Sequence, residues 1–325
     1  MRKSIICLLL FISLLFITGC TEKEPSIESN QIKVGIMLSD AGLGDQSFSD
    51  LGFAGLEKAR DELNISFEYR EIQETDTYAK GLEELVKSGN DLIIGLGFSI
   101  QEDLETIAQK YPEKSFLLID AQSELPNVNN ITFKEEEASF LLGAIAGLKT
   151  TSNVVGFVGG EDAPLIHKFE KGFAAGVKSE NPTAVVLSEY ANDFGNDKLG
   201  ESIAKEMIGA KADFIYPAAG FTGVGVIKES QRSGVYTFGV DSDQFYLAEN
   251  AIVSSMLKQV DVAIFNTIQG IVETGKIPEK DQVLGIKENG VSIAPIRVIE
   301  LSSGEKNRIA KLQEDIANGS ITILQ

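Results

Sequence analysis

Short apolar runs separated by amphipathic stretches of helical length dominate this sequence, and few folds accommodate that alternation. From Ile32 the order is IKVGIML, a helix near Asp50 to Leu63, SFEYREI, a helix near Tyr78 to Ser88, DLIIGLG, a helix near Ile100 to Lys110, then SFLLID. Strands joined through such helices imply a parallel sheet with right-handed crossovers. The runs IIGLG and FLLID are almost wholly apolar, as strands covered on both faces must be.

The alternation begins again after Val128. NITF is followed by a helix from about Glu136 to Leu148, NVVGFVGG by one from about Leu165 to Ser179, and AVVLSEY by one from about Lys198 to Ile208. DFIYPAA, a helix from about Val224 to Ser233, and VYTFGVD complete this second unit. The remaining pieces, IVSSML, a helix from about Val260 to Gly275, GVSIAPIRVIEL and a helix over Lys306 to Asn318, suit a chain that crosses back between two lobes. At 325 residues the chain is large for one core and natural for two.

Ahead of these units, Arg2 and Lys3 precede an apolar run from Ile5 to Ile17 that ends in Thr18, Gly19 and Cys20. The run is shorter than the roughly 20 residues needed to span a bilayer, so residues 1–19 read as a signal peptide. Phe16 to Cys20 resembles the lipobox of bacterial lipoproteins, which implies cleavage before Cys20 and lipidation of that residue, with several acyl chains giving a stable anchor. Residues 20–31, polar and containing Pro25, read as a tether. Cys7 leaves with the signal, so no internal disulfide is expected despite an extracytoplasmic location on the cell membrane.

The formal charge of −19 becomes −21 once Arg2 and Lys3 are removed, because residues 1–19 hold no acidic side chain. Such a field argues against nucleic acid as a partner. The catalytic inventory is thin. His167 is the single histidine, no G-x-S-x-G is present, and Asp241-Ser242-Asp243 lacks the glycine and distal glutamate of a calcium loop. Gly220 to Gly225 has its glycine spacing reversed relative to a dinucleotide fingerprint. Neither enzyme activity, nor a metal, nor a cofactor is expected.

Ser39 to Ser49, with Asp40, Gly42, Gly44 and Asp45-Gln46-Ser47-Phe48-Ser49, follows the first strand and leads into a helix. Further segments are Gly97-Phe98, Asp120 after FLLI, Asn129 to Gly143, Val155 to Gly160, Phe169-Glu170-Lys171-Gly172-Phe173, Ala218-Ala219-Gly220, Gly239 to Gln244 and Leu257 to Ala263. Together they resemble, in order, the basic membrane protein family of substrate-binding lipoproteins, several of them purine nucleoside receptors. The family pattern D-K-S-F-N reads Asp45-Gln46-Ser47-Phe48-Ser49 here, so an amide gives way to a shorter hydroxyl.

The resemblance implies an α/β type I periplasmic binding protein fold: two Rossmann-like lobes with parallel sheets, joined by three crossovers. The lobes are expected at residues 32–134 plus 258–284 and 135–257 plus 285–325. It implies capture of a purine nucleoside or similar small molecule for an ABC transporter permease and ATPase, by a protein working as a monomer. Asp40, Asp45, Ser47 and Ser49 would meet the base edge. Phe48 or Phe98 on one lobe and Phe194 on the other would stack on it. Asp241 and Lys258 would hold ribose hydroxyls, with Asp120 lining the cleft and Gly220 allowing close backbone approach. The alternative reading is a surface-anchored ligand sensor on the same fold; a nucleoside hydrolase would need an acid, base or metal that the chain does not advertise.

Overall fold

Every apolar run named from Ile32 to Leu257 forms a strand, and the strands divide between two sheets. The computed structural model describes residues 31–324, so the segment 1–19, Cys20 and all but the last residue of the expected tether lie outside the described residues. The first unit runs β1 (Lys33–Met37), α1 (Phe48–Leu63), β2 (Ser66–Arg70), a short α2 (Ile72–Thr75), α3 (Tyr78–Lys87), β3 (Leu92–Leu96), α4 (Gln101–Lys110), β4 (Ser115–Ile119) and β5 (Val128–Phe133). The second runs α5 (Glu135–Lys149), β6 (Val154–Gly159), α6 (Pro164–Glu180), β7 (Val185–Tyr190), α7 (Asp197–Gly209), β8 (Phe214–Ala218), α8 (Gly220–Ser233), β9 (Tyr236–Asp241) and β10 (Ile252–Lys258). The chain closes with α9 (Val260–Thr274), β11 (Asp281–Leu284), β12 (Val291–Ile293) and α10 (Ser303–Ala317).

The first sheet has the order β11-β5-β4-β3-β1-β2 and is parallel throughout. The second has the order β12-β10-β9-β8-β6-β7, in which only β12 is antiparallel. The chain therefore passes between sheets three times: from β5 to β6, from β10 to β11 and from β11 to β12. β3 and β8 are buried along their whole length, whereas the edge strands β2 and β7 are partly open, in keeping with their mixed composition.

Two elements depart from expectation. Of GVSIAPIRVIEL only Val291–Ile293 is a strand, because Pro295 offers no amide; beyond it the segment follows β10 through isolated bonds such as Arg297 N to Val253 O at 2.7 Å. The four-residue β11 has no apolar alternation and forms because the topology lays it beside β5.

In both sheets the strand order reverses beside the first strand of the unit, between β1 and β3 and between β6 and β8. Ligand crevices in such sheets lie at the carboxyl ends of strands flanking that point. The loops after β1, β3 and β8, with the start of α6 beyond β6, accordingly line one cleft.

Candidate functional site

Asp120 follows β4 and Asp241 ends β9, and both adopt left-handed backbone conformations, at φ 70° and 64°. A short polar side chain tolerates that region better than most, and the turn carries both carboxylates into the cleft. Lys258, the last residue of β10, meets them there with a side chain only 1 % exposed. Its Nζ lies 2.5 Å from Asp120 Oδ2 and 3.0 Å from Glu135 Oε1. The rings of Phe133, Phe48 and Phe169 surround the ammonium at 5.0, 5.1 and 5.6 Å to their centroids.

The electrostatics follow from this crowding. Burial alone would lower the Lys258 ammonium, but Asp120, Glu135 and Asp241 more than offset it and leave it raised. Burial pushes Asp120 up against the pull of Lys258, with Glu135 and Asp241 adding repulsion. Asp241 is likewise raised by burial, opposed by Lys258 and by the Ser47 hydroxyl. Asp120 Oδ1 is buried without a hydrogen-bond partner among the described residues. An unpaired buried carboxylate oxygen is costly, and Asp120 is among the residues that line the cavity.

Phe98 and Phe194 add two further rings to the cleft. Phe98 follows Gly97, whose φ of 109° is open to glycine and little else. Phe194 sits between β7 and α7, its carbonyl accepting from Thr222 N at 3.0 Å, while Asn196 N donates to Thr222 Oγ1 at 2.8 Å. The two rings meet edge to face, with centroids 6.5 Å apart at 67°. Gly220, at φ 54°, packs under the Phe194 loop; a Cβ there would lie 3.2 Å from Phe194 O.

Asp40 is held on both oxygens, accepting from the Tyr78 hydroxyl on Oδ1 and from Ser99 Oγ at 3.1 Å on Oδ2. Burial, then the facing Asp40 carboxylate, drives the Tyr78 phenol upward. Asp45 caps α1: its carboxylate accepts from the amides of Ser47, Ser49 and Asp50 at 2.9, 2.8 and 3.2 Å. Burial pushes Asp45 up to about 6 while those amides pull it back.

Of the residues singled out from sequence, Asp40, Asp45, Phe48, Phe98, Asp120, Phe194, Gly220, Asp241 and Lys258 all line one cavity of about 640 Å³, counting its open mouth. Ser47 and Ser49 do not line it: Ser47 Oγ donates to Asp241 Oδ2 at 2.5 Å, and Ser49 Oγ pairs with Ser39 Oγ at 2.7 Å. The expectation missed Tyr78, Leu165, Ile166 and Phe169 on the wall, and Glu135 behind it. Phe169 lies within a segment quoted for the resemblance. Glu135 heads a run of three glutamates that reads as the favourable acidic first turn of a helix, and only the fold brings it to Lys258.

His167 stands apart from the cavity, with Nε2 2.7 Å from Asp162 Oδ1. Among the described residues no cluster of three or more Cys, His, Asp or Glu is arranged to hold a metal ion, and no helix is long and apolar enough to cross a membrane.

Two α/β lobes meeting over a cleft at their strand ends define a solute-binding protein of the type I periplasmic fold. The chain belongs to the family described as "ABC transporter substrate-binding protein PnrA-like", which matches residues 32–324. It is 30% identical to Basic membrane protein D of Borreliella burgdorferi, across 96% of this chain and 93% of that protein. It is 29% identical to the ABC transporter nucleoside-binding protein BmpA of Lactococcus lactis, across 99% of both. An ABC transporter solute-binding protein from Aeropyrum pernix has the same fold, with a TM-score of 0.82 at 27% identity, covering 90% of this chain and 92% of that one. The family's role is to bind substrate for a transporter, not to convert it.

Proposed function

We propose that this chain is the lipid-anchored, extracytoplasmic receptor of an ABC importer, and that it captures a purine nucleoside between its lobes. The unpartnered Asp120 Oδ1, held beside Lys258, carries the reading, because it offers a fixed acceptor to a ligand hydroxyl. Asp241 stands with it, and the Phe98 and Phe194 rings lie across the same cavity. An acidic, mostly apolar cleft suits an uncharged, flat, hydroxylated ligand. The nucleoside-binding relative from Lactococcus lactis supports the same ligand class.

In this reading Cys20 carries the anchor, and residues 32–134 plus 258–284 close against 135–257 plus 285–325. The closed monomer then presents itself to the permease and ATPase. Thermal-shift and calorimetric titration of the protein beginning at residue 21 with guanosine, inosine and adenosine test it. Nucleoside at about 100 times its Kd should add about 2.7 kcal/mol of stability. A flat response to every nucleoside would sink the ligand assignment.

A further inference from the structure

We infer that the lobes carry a latch that holds them together without ligand, with the main-chain carbonyl of Gln46 as acceptor and Gln244 as principal donor. Gln46 lies in the loop after β1, Gln244 in the turn after β9, so the contact joins the two sheets. Gln244 Nε2 donates to Gln46 O at 2.9 Å, and Ser242 Oγ donates to the same oxygen at 3.3 Å. Ser47 Oγ adds its bond to Asp241 Oδ2 at 2.5 Å.

Each half is built within its own lobe. Gln244 is 1 % exposed; its Oε1 accepts from Val240 N at 3.0 Å, and its backbone N donates to Ser255 Oγ at 3.2 Å. With the amide oxygen so engaged, the NH₂ group must face Gln46. The turn around Gln244 is fixed further by Asp243, which receives Arg297 through two bonds of 2.9 and 2.8 Å. On the opposite side Gln46 is left-handed at φ 56°, a conformation that turns its carbonyl outward. Asp50 holds it there, accepting from Gln46 N at 3.0 Å and from Gly44 N at 2.8 Å.

Two preformed surfaces make these bonds on rigid-body approach, with no loop left to order. Neither Gln46, Ser242 nor Gln244 lines the cavity. Apart from Asp241, which lines the cavity and takes the Ser47 bond, latch and ligand therefore bias one closing equilibrium from separate places, and the ligand-free closed population scales the apparent affinity. Gln244 is a positioning residue in this scheme. Losing its bond should weaken ligand binding roughly fivefold, mainly through faster release.

Only the affinity arm rests on the nucleoside reading; the closure arm needs no ligand. The protein beginning at residue 21 has no cysteine, so Lys80→Cys and Lys198→Cys, on exposed helices of opposite lobes, accept a fluorescent pair for energy transfer. Ligand-free protein should show the short interlobe distance, and Gln244→Ala should lengthen it while guanosine affinity falls about fivefold. A structural role alone would lower Tm and leave the distance unchanged. An unchanged distance in folded Gln244→Ala, or a ligand-free wild type already as open as the variant, overturns the latch. Should Gln244→Ala fail to fold, Ser242→Ala, which removes only a half-buried hydroxyl, is held to the same distance criterion. If no nucleoside binds any form, the proposed ligand falls while the distances still decide the latch.

Discussion

Lys258 Nζ and Asp120 Oδ2, 138 positions apart in the chain, stand 2.5 Å from one another with both side chains almost fully withdrawn from water. A second carboxylate, Glu135 Oε1, lies 3.0 Å from the same ammonium. Glu135 also holds Lys168 at 3.2 Å through Oε2, so the balance is asymmetric: removing Lys258 leaves the buried Asp120 without its cation, whereas removing Asp120 leaves Lys258 paired with Glu135.

Lys258→Met should therefore be among the most damaging single changes. Breaking a buried pair from one side costs about 3–5 kcal/mol, measurable by urea denaturation. The double variant Lys258→Met with Asp120→Asn should lose less than the sum of the single losses, because the two share one network. Additive losses would show that the pair is not coupled.

Asp120→Asn on its own predicts the opposite split. Lys258 keeps Glu135, so stability should shift little, while a carboxylate lining the cavity loses its charge. A hydrogen bond to a charged group is worth about 1.5–3 kcal/mol, so nucleoside affinity should fall at least about tenfold by calorimetric titration. Retained affinity would remove Asp120 from the site.

The pH dependence carries an unusual sign. Asp45 is raised by burial from 3.8 to about 6. A carboxyl raised on folding contributes stability that is full below its unfolded value and is lost as pH rises through its folded one. Burial also raises Asp120, Asp241, Glu136 and Glu161. Carboxylates lowered by partners work the other way, as Glu83 does at about 2 beside Lys110, but only below its unfolded value of 4.5. Tm of the ligand-free protein should thus rise from pH 7 to pH 5 before acid denaturation sets in. A steady fall over that interval in scanning calorimetry counts against this account.

The sheets were legible because a doubly covered strand leaves an uninterrupted apolar run, as in Leu92–Leu96, and because carboxylates that end such runs, Asp120 and Asp241, have no place in a core. What the chain hid depends on three-dimensional neighbours. Glu135 looks solvated until α5 is seated beside β10, and its side chain is then fully buried. The family resemblance put Ser47 and Ser49 at the base edge; in the structure Asp241 and Ser39 engage their hydroxyls. Tyr78 gave no signal at all: it starts an ordinary amphipathic helix, and only the β1 loop brings Asp40 to its hydroxyl.

Gly220 tests whether Phe194 is a wall of the site. At φ 54° an alanine pays the left-handed penalty of about 1–2 kcal/mol, and its Cβ would press on Phe194 O from 3.2 Å. That carbonyl also accepts from Thr222 N, so the strain has no soft side chain to absorb it and must move the loop bearing the ring. Gly220→Ala should stay folded, lose about that much stability and bind nucleoside more weakly than wild type. Gly209→Ala is the matched control: it sits in α7 with no atom within 4 Å of the new methyl, and should be neutral or slightly stabilising with affinity unchanged. Weaker binding confined to Gly220→Ala places the wall that Gly220 and Phe194 form together against the ligand; equal affinity in both variants puts the stacking surface elsewhere.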